Sequence, residues 1–505
     1  MASDSNPLST GAMPTLVSTG IEGLDRILGG GLPPNHIYLI EGSPGSGKTT
    51  AGLQFLLEGI SRGELGLYVS LSETKEEVAE IGKNHGWDLS RVEIIESSIS
   101  EESLRPEEQS TIFHPSEMEL SETTTRLLAE IERINPSRIV FDSLSELRLM
   151  AQSPLRYRHQ IMGLKRYFIP RQRTVMMLDD GRSAADLDLQ TISHGMIQLE
   201  QVPLEYGADR RRLRVVKMRG RDVALGWHDF VIRTGGLTVY ARLKAVHDPR
   251  LAAVQDGRVS SGIAELDALL GGGLPTGTST LIMGPPGTGK SSIAFQYAVE
   301  AANRGERSII LSFDESLHTS VRRARGLGQD LEKHLSTGFI RIETMDPGRL
   351  SPGEFAGRIS QAVEPVDGPG VKVLVIDSLN GYVYAMPEER FLMMQLHQLL
   401  SYAGQHGVVT LIVLAQHGMI GLNPVTPVDT SHLTDNVILL RFFEAAGRIK
   451  RAISAIKVRS GKHEDTIREL QINHGGIQVG PPLRQFQGIL SGEPRFVGDQ
   501  DPLMK

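Results

Sequence analysis

The chain has 505 residues, 40% hydrophobic and 22% charged, a length that predicts two or more domains rather than one ordinary core. Its net charge of −7 excludes a global attraction to nucleic acid or an anionic membrane, and the absence of cysteine excludes disulfides and cysteine-ligated zinc or iron–sulfur centres. MASDSNPLST lacks a basic segment followed by an apolar one, and the longest apolar runs, such as VVTLIVLA (408–415), are too short to span a bilayer, so a cytoplasmic protein is expected.

In chain order, IYLIEG (37–42) is a β-rich run ending in a glycine loop, and TAGLQFLLEGISRG (50–63) has helical apolar spacing. GLYVSLS then reads as a strand, EEVAEIGKNHG as a short helix, TTTRLLAEIERI (123–134) as a longer helix and RIVFD as a strand. Strands alternating with helices predict an α/β domain with a mostly parallel sheet flanked by helices on both faces.

The second half repeats the first. GIEGLDRILGGGL (20–32) matches GIAELDALLGGGL (262–274), and LYVSLSET (67–74) matches IILSFDES (309–316), both at an offset of 242. RIVFDSLSEL (138–147) matches VLVIDSLNGY (373–382), and VVKMRG (215–220) matches AIKVRS (455–460). A chain of two homologous units is therefore predicted: an N-terminal domain over 14–247, a linker over 248–258, a C-terminal domain over 259–495 and a short tail over 496–505.

Each unit carries G-x-x-x-x-G-K-[ST] between a β-rich run and a helix. The first loop is Gly42, Ser43, Pro44, Gly45, Ser46, Gly47, Lys48, Thr49 and Thr50. The second is Gly284, Pro285, Pro286, Gly287, Thr288, Gly289, Lys290, Ser291 and Ser292. Glycines let the backbone curl so that N–H groups face phosphate oxygens, Lys48 and Lys290 reach the terminal phosphates, and the helix N-terminus adds favourable dipole. ATP and Mg²⁺ are the expected ligands: Thr49 and Ser291 offer hydroxyls to the metal, and Asp142 and Asp377, each ending an apolar strand expected beside the loop, offer carboxylates. Hydrolysis also needs a base for the attacking water, and the candidates after the second strand are Ser72-Glu73 and Asp314-Glu315. SETKEE also reads as a helix N-cap with acidic first-turn residues, a role compatible with the first.

These residues together resemble the KaiC branch of the RecA-like ATPases. The likeness extends over nearly the whole chain, through GWDL (86–89), DRRRLRVVKMRG (209–220), SHLTDNVILL, RAISAIKVRSGKHEDTIREL and RQFQGILSGEP. RadA-type repair proteins share one such core but carry a cysteine zinc module, which this chain cannot have. The resemblance implies tandem RecA-like P-loop domains in a two-tiered homohexamer, with nucleotide between subunits and two acids near the γ-phosphate. It places Lys217 and Arg219, and Lys457 and Arg459, at the subunit interface as cations for a neighbour's phosphate. It also implies serine/threonine autokinase activity in the C-terminal domain. Ser431 stands at the acceptor position, with His432 where the family has threonine and Thr430 and Thr434 nearby. A KaiB-like partner follows from the same likeness. The family's clock members extend further past SGEP, so control through such a tail is not expected.

Two further readings stay open. One is a nucleic-acid motor using Arg210, Arg211, Arg212 and Arg214, against which stand the acidic net charge and only 5% aromatic residues. The other is a nucleotide-dependent scaffold with little turnover.

Overall fold

The computed structural model describes residues 15–96, 115–151, 153–181, 187–243, 257–386, 391–416, 433–445, 447–459, 461–489 and 495–497. Contacts divide the chain into two compact units, residues 1–242 and 243–505. The expected linker lies largely outside the described residues, as do Thr430, Ser431, His432 and the end of the tail.

The first unit is built on nine strands: β1 (Ile37–Glu41), β2 (Gly66–Ser70), β3 (Val92–Glu96), β4 (Arg138–Asp142), β5 (Thr174–Asp179), β6 (Gly195–Val202), β7 (Arg210–Met218), β8 (His228–Arg233) and β9 (Gly236–Tyr240). They form one sheet in the order β3-β2-β4-β5-β1-β6-β7-β8-β9. The pairs from β3 through β6 are parallel. β1, β2, β4 and β5 are buried along their whole length, as expected for strands with helices on both faces.

The second unit begins with a short antiparallel pair, β10 (Arg258–Val259) and β11 (Leu274–Pro275). Its large sheet comprises β12 (Ser279–Gly284), β13 (Ser308–Ser312), β14 (Ile340–Thr344), β15 (Val373–Asp377), β16 (Val409–Ala415), β17 (Asn436–Ala445), β18 (Arg448–Val458), β19 (Arg468–Asn473) and β20 (Gly476–Pro482). The order β14-β13-β15-β16-β12-β17-β18-β19-β20 reproduces the first sheet strand for strand. A last pair, β21 (Phe486–Gln487) and β22 (Arg495–Phe496), closes the unit.

The sheets are mostly parallel, as expected, and β6–β9 and β17–β20 extend them as antiparallel meanders. One detail corrects the expectations. The strand bearing Asp142 or Asp377 is not adjacent to the loop strand: β5 lies between β4 and β1, and β16 between β15 and β12. The carboxylate reaches the loop because parallel strands all end on the same edge, where sheet order reverses and a crevice opens.

Apolar side chains fill both faces of each sheet. On one face of the first unit, Leu53, Phe55 and Leu56 of the loop helix pack against Tyr68, Val140 and Met176. On the other, Ile139, Phe141 and Val175 meet Tyr157, Ile161 and Phe168. Gly47 and Gly289 start the loop helices at φ 100° and 101°, a region that β-carbons disfavour. A β-carbon on Gly289 would stand 2.1 Å from Ile472 Cδ1.

Candidate functional site

In the first unit the loop leaves β1 and opens the helix Lys48–Ser61. Lys48 is buried, and its Nζ donates to the carbonyls of Gly42 (2.7 Å) and Ser43 (3.2 Å). It also pairs with Asp180 Oδ1 at 2.9 Å. Thr49 Oγ1 donates to Asp142 Oδ2 at 2.6 Å, so the hydroxyl and the carboxylate meet across 93 residues of sequence. Tyr68 OH donates to the same carboxylate oxygen.

Glu73 sits in the turn after β2. Leu71 N–H donates to Asp142 C=O at 2.6 Å, which ties that turn to the end of β4. The next helix is capped one residue later, at Thr74, whose side chain accepts from Glu77 N–H while the Glu77 carboxylate accepts from Thr74 N–H. Capping therefore uses Thr74 and Glu77 and leaves the Glu73 carboxyl for the site. Burial raises its pKa, with smaller contributions from the negative charges of Asp142 and Glu77. Glu73 Oε2 is buried with no hydrogen-bond partner. Ser72 is exposed.

The second unit repeats this plan with different supports. Lys290 Nζ donates to Pro285 C=O at 2.8 Å, and burial lowers its pKa to about 8 despite Asp377 nearby. Asp377 is pushed up to about 6, chiefly by burial; its hydrogen bond from Ser291 and the charge of Arg323 act the other way. Glu315 accepts from Arg323 Nη1 at 3.0 Å and from Ser320 Oγ at 3.3 Å. Asp314 accepts from Ser378 Oγ at 2.6 Å. A cavity of about 470 Å³ is lined by Pro286, Gly287, Gly289, Lys290, Ser291, Ser292, Asp314, Glu315, Arg323, Asp377 and Arg451.

The structure thus brings loop, hydroxyl, strand-end aspartate and post-β2 acid together in both units. It does not bring the Lys-x-Arg residues to them. Lys217 Nζ donates to the carbonyls of Gln190 (2.6 Å) and Ser193 (2.8 Å), and Arg219 to that of Thr191 (2.6 Å). Lys457 donates to Thr434 C=O at 2.7 Å, and Arg459 lies 3.3 Å from Asp435 Oδ1. In register, Met218 faces Gly195, which faces Tyr38 near the start of β1. These cations therefore lie at the opposite end of the sheet from their own loop, a strand length of roughly 15 Å away.

Magnesium fits the residues present: each unit offers a hydroxyl already in hydrogen-bond contact with a carboxylate, and oxygen ligands completed by phosphate and water suit this ion. No cluster of three or more histidine, cysteine or acidic side chains exists among the described residues to hold a metal on protein ligands alone.

Sequence reasoning missed Tyr68, Asp180 and Arg323. Their counterparts in the other unit, by the repeat offset or the strand register, are Ile310, Ala415 and Ile81. The differences between aligned repeats were the available signal.

Comparison with known proteins agrees with the geometry. The KaiC ATPase family matches twice, over residues 17–244 and 259–484. The circadian clock oscillator protein KaiC of Picosynechococcus sp. is 27% identical over 485 residues, 95% of this chain and 92% of the relative. The circadian clock protein KaiC3 of Synechocystis sp. is 26% identical, covering 96% of this chain and 95% of its own. The KaiC of Synechococcus elongatus is 27% identical, covering 94% and 91%. With two P-loop sites on two doubly wound sheets of the same strand order, this chain belongs to the KaiC ATPase family as a tandem of RecA-like domains.

Proposed function

We propose that the protein is an Mg²⁺-dependent ATPase that works as a two-tiered homohexamer and phosphorylates itself on Ser431, in domains spanning 14–247 and 259–495. The observation that carries the ring is the distance between each loop and its own Lys-x-Arg pair. Cations at the far end of the sheet cannot reach their own γ-phosphate, but Lys217, Arg219, Lys457 and Arg459 are available to the loop of a neighbouring subunit, where they would stabilise developing charge.

Within each unit the phosphates lie on the Gly42–Thr50 or Gly284–Ser292 backbone, with Lys48 or Lys290 on the terminal groups. Thr49 with Asp142, and Ser291 with Asp377, would hold Mg²⁺, which supplies charge neutralisation on the β- and γ-phosphates. Glu73 and Glu315 take a proton from the nucleophile. Glu73 is suited to this by its raised pKa and open oxygen, and Glu315 by the fixed orientation that Arg323 and Ser320 give it. In the second unit the nucleophile is either water or the Ser431 hydroxyl, and Asp314 assists.

The clock-protein names of the relatives support a regulatory setting and a KaiB-like partner. Among the described residues, no helix is long and apolar enough to cross a membrane, which supports a cytoplasmic location. The arginines of β7 do not favour a nucleic-acid motor: Arg210 forks onto Asp229, Arg212 pairs with Glu200, and Arg212 and Arg214 both stack on Trp227.

The test is to incubate the protein with ATP and Mg²⁺, measure ADP and assembly size, and map phosphate by mass. Nucleotide-dependent ring formation with phosphate on Ser431, lost in Ser431→Ala, is the expected result. A monomer at all nucleotide concentrations, or phosphate confined to Thr430 or Thr434, would overturn the corresponding part.

A further inference from the structure

The two sites differ in where their second carboxylate stands. In the second unit it is Asp314, after β13, held by Ser378, the residue that follows the metal aspartate Asp377. In the first unit the matching position is Ser72, exposed and without a carboxylate. The edge of the first sheet supplies an acid elsewhere. β1 pairs Glu41 with Asp179, so Asp180 is the first residue past the end of β5. In the second unit the same register runs from Met283 with Leu414 to Gly284 with Ala415, which makes Ala415 the counterpart of Asp180. Ala415 lines the nucleotide cavity of its unit.

Asp180 is anchored where a site residue would be. Its Oδ1 is 2.9 Å from Lys48 Nζ, and its Oδ2 accepts from Ser145 Oγ at 3.2 Å. Ser145 in turn shares a hydrogen bond with Ser143, the residue following Asp142. The serine after the metal aspartate therefore leads to a carboxylate in both units, directly to Asp314 in one and through Ser145 to Asp180 in the other.

We propose that Asp180 is the second catalytic carboxylate of the first unit, relocated from the β2 turn to the end of β5. This rests on the first unit being an ATPase. When phosphate takes Lys48, the Asp180 carboxylate stays beside it and accepts a hydrogen bond from the attacking water, with Glu73 on the water's other side. The water oxygen then forms a bond to the γ-phosphorus. The bond from that phosphorus to the β–γ bridging oxygen breaks, and its electron pair leaves on ADP. Glu73 takes the water proton.

The same contact makes Asp180 a competitor for Lys48, so its removal has two opposite consequences. Hydrolysis slows, because the water loses a fixed acceptor, by about 10- to 100-fold. Nucleotide binds more tightly, by roughly two- to fivefold, because phosphate no longer displaces an ion pair. A side chain needed only for folding would weaken both.

The experiment uses full-length protein carrying Lys290→Ala, so that only the first unit reads out. Single-turnover ATP hydrolysis is measured with Mg²⁺, and affinity for a fluorescent ADP analogue is measured separately in EDTA, where no metal contributes. Asp180→Ala and the shape-keeping Asp180→Asn are each expected to lower the rate and tighten binding. Adding Ser72→Asp to Asp180→Ala is expected to recover a substantial part of the rate, because it restores the carboxylate at the position of Asp314. An unchanged rate in both Asp180 variants, with the parent still hydrolysing ATP, overturns the proposal and leaves the ATPase reading intact. Rate and affinity falling together, or no recovery with Ser72→Asp, also overturns it. A Lys290→Ala parent that binds nucleotide but hydrolyses none overturns the first-unit ATPase, and this proposal with it.

Discussion

Asp377→Asn should stabilise the metal-free second unit, by an amount that grows with pH. Asp377 is buried at the end of β15, and its pKa rises from 3.8 to about 6. A folded-state pKa above the unfolded value means that the group's contribution is fully present below the unfolded pKa and is lost as pH climbs through the folded one. The shift of about two units corresponds to on the order of 3 kcal/mol of destabilisation once the carboxylate is ionised in both states. Roughly half of it is expressed between pH 5 and 8, because the lower end of the titration is already complete at pH 5. Asparagine keeps the shape and an acceptor for Ser291 but carries no charge, so the difference between variant and wild type isolates this term. Thermal unfolding in EDTA should show the melting advantage of Asp377→Asn widening by about 3–6 °C from pH 5 to pH 8. Mg²⁺ with nucleotide should reverse the order, because the ion favours the ionised carboxylate that the variant lacks. A melting difference that stays flat across this range would refute the argument.

Three other outcomes can be checked directly. Glu315→Gln should lower second-unit hydrolysis and self-phosphorylation by roughly 10²–10⁴-fold with nucleotide affinity little changed; unchanged phosphate incorporation would remove Glu315 as the base. Arg323→Leu should lower the same rates by about tenfold through a loosened Glu315, read as a fall in kcat at nearly constant KM, whereas the matching change in the first unit has no target, since Ile81 already stands there. Gly289→Ala should abolish nucleotide binding in the second unit alone and destabilise that unit by about 1–3 kcal/mol, because its β-carbon meets Ile472 at a positive φ; calorimetric titration should show one class of site remaining.

The local chemistry was legible in the sequence. Two copies of G-x-x-x-x-G-K-[ST], each between an apolar run and a helical pattern, fix a loop whose backbone conformation only glycine readily allows, as φ 100° at Gly47 and 101° at Gly289 bear out. The repeat also aligned Glu73 with Glu315, at the offset of 242, and Asp142 with Asp377 through the matching RIVFDSLSEL and VLVIDSLNGY segments, because periodicity and spacing are properties of the chain itself. Strand order was not legible. β5 and β16 insert between the loop strand and the aspartate strand, and the meanders β6–β9 and β17–β20 extend the sheets, since pairing depends on which apolar faces cover one another in three dimensions. The residues that hold the proposed catalytic groups were hidden for the same reason. Tyr68 reaches Asp142 across 74 positions, Asp180 reaches Lys48 from the end of another strand, and Arg323 turns back onto Glu315 from the next helix. A carboxylate in a sequence is only an acid; its base strength and its partner are set by burial and by neighbours brought to the same sheet edge, and only the tertiary structure supplies those.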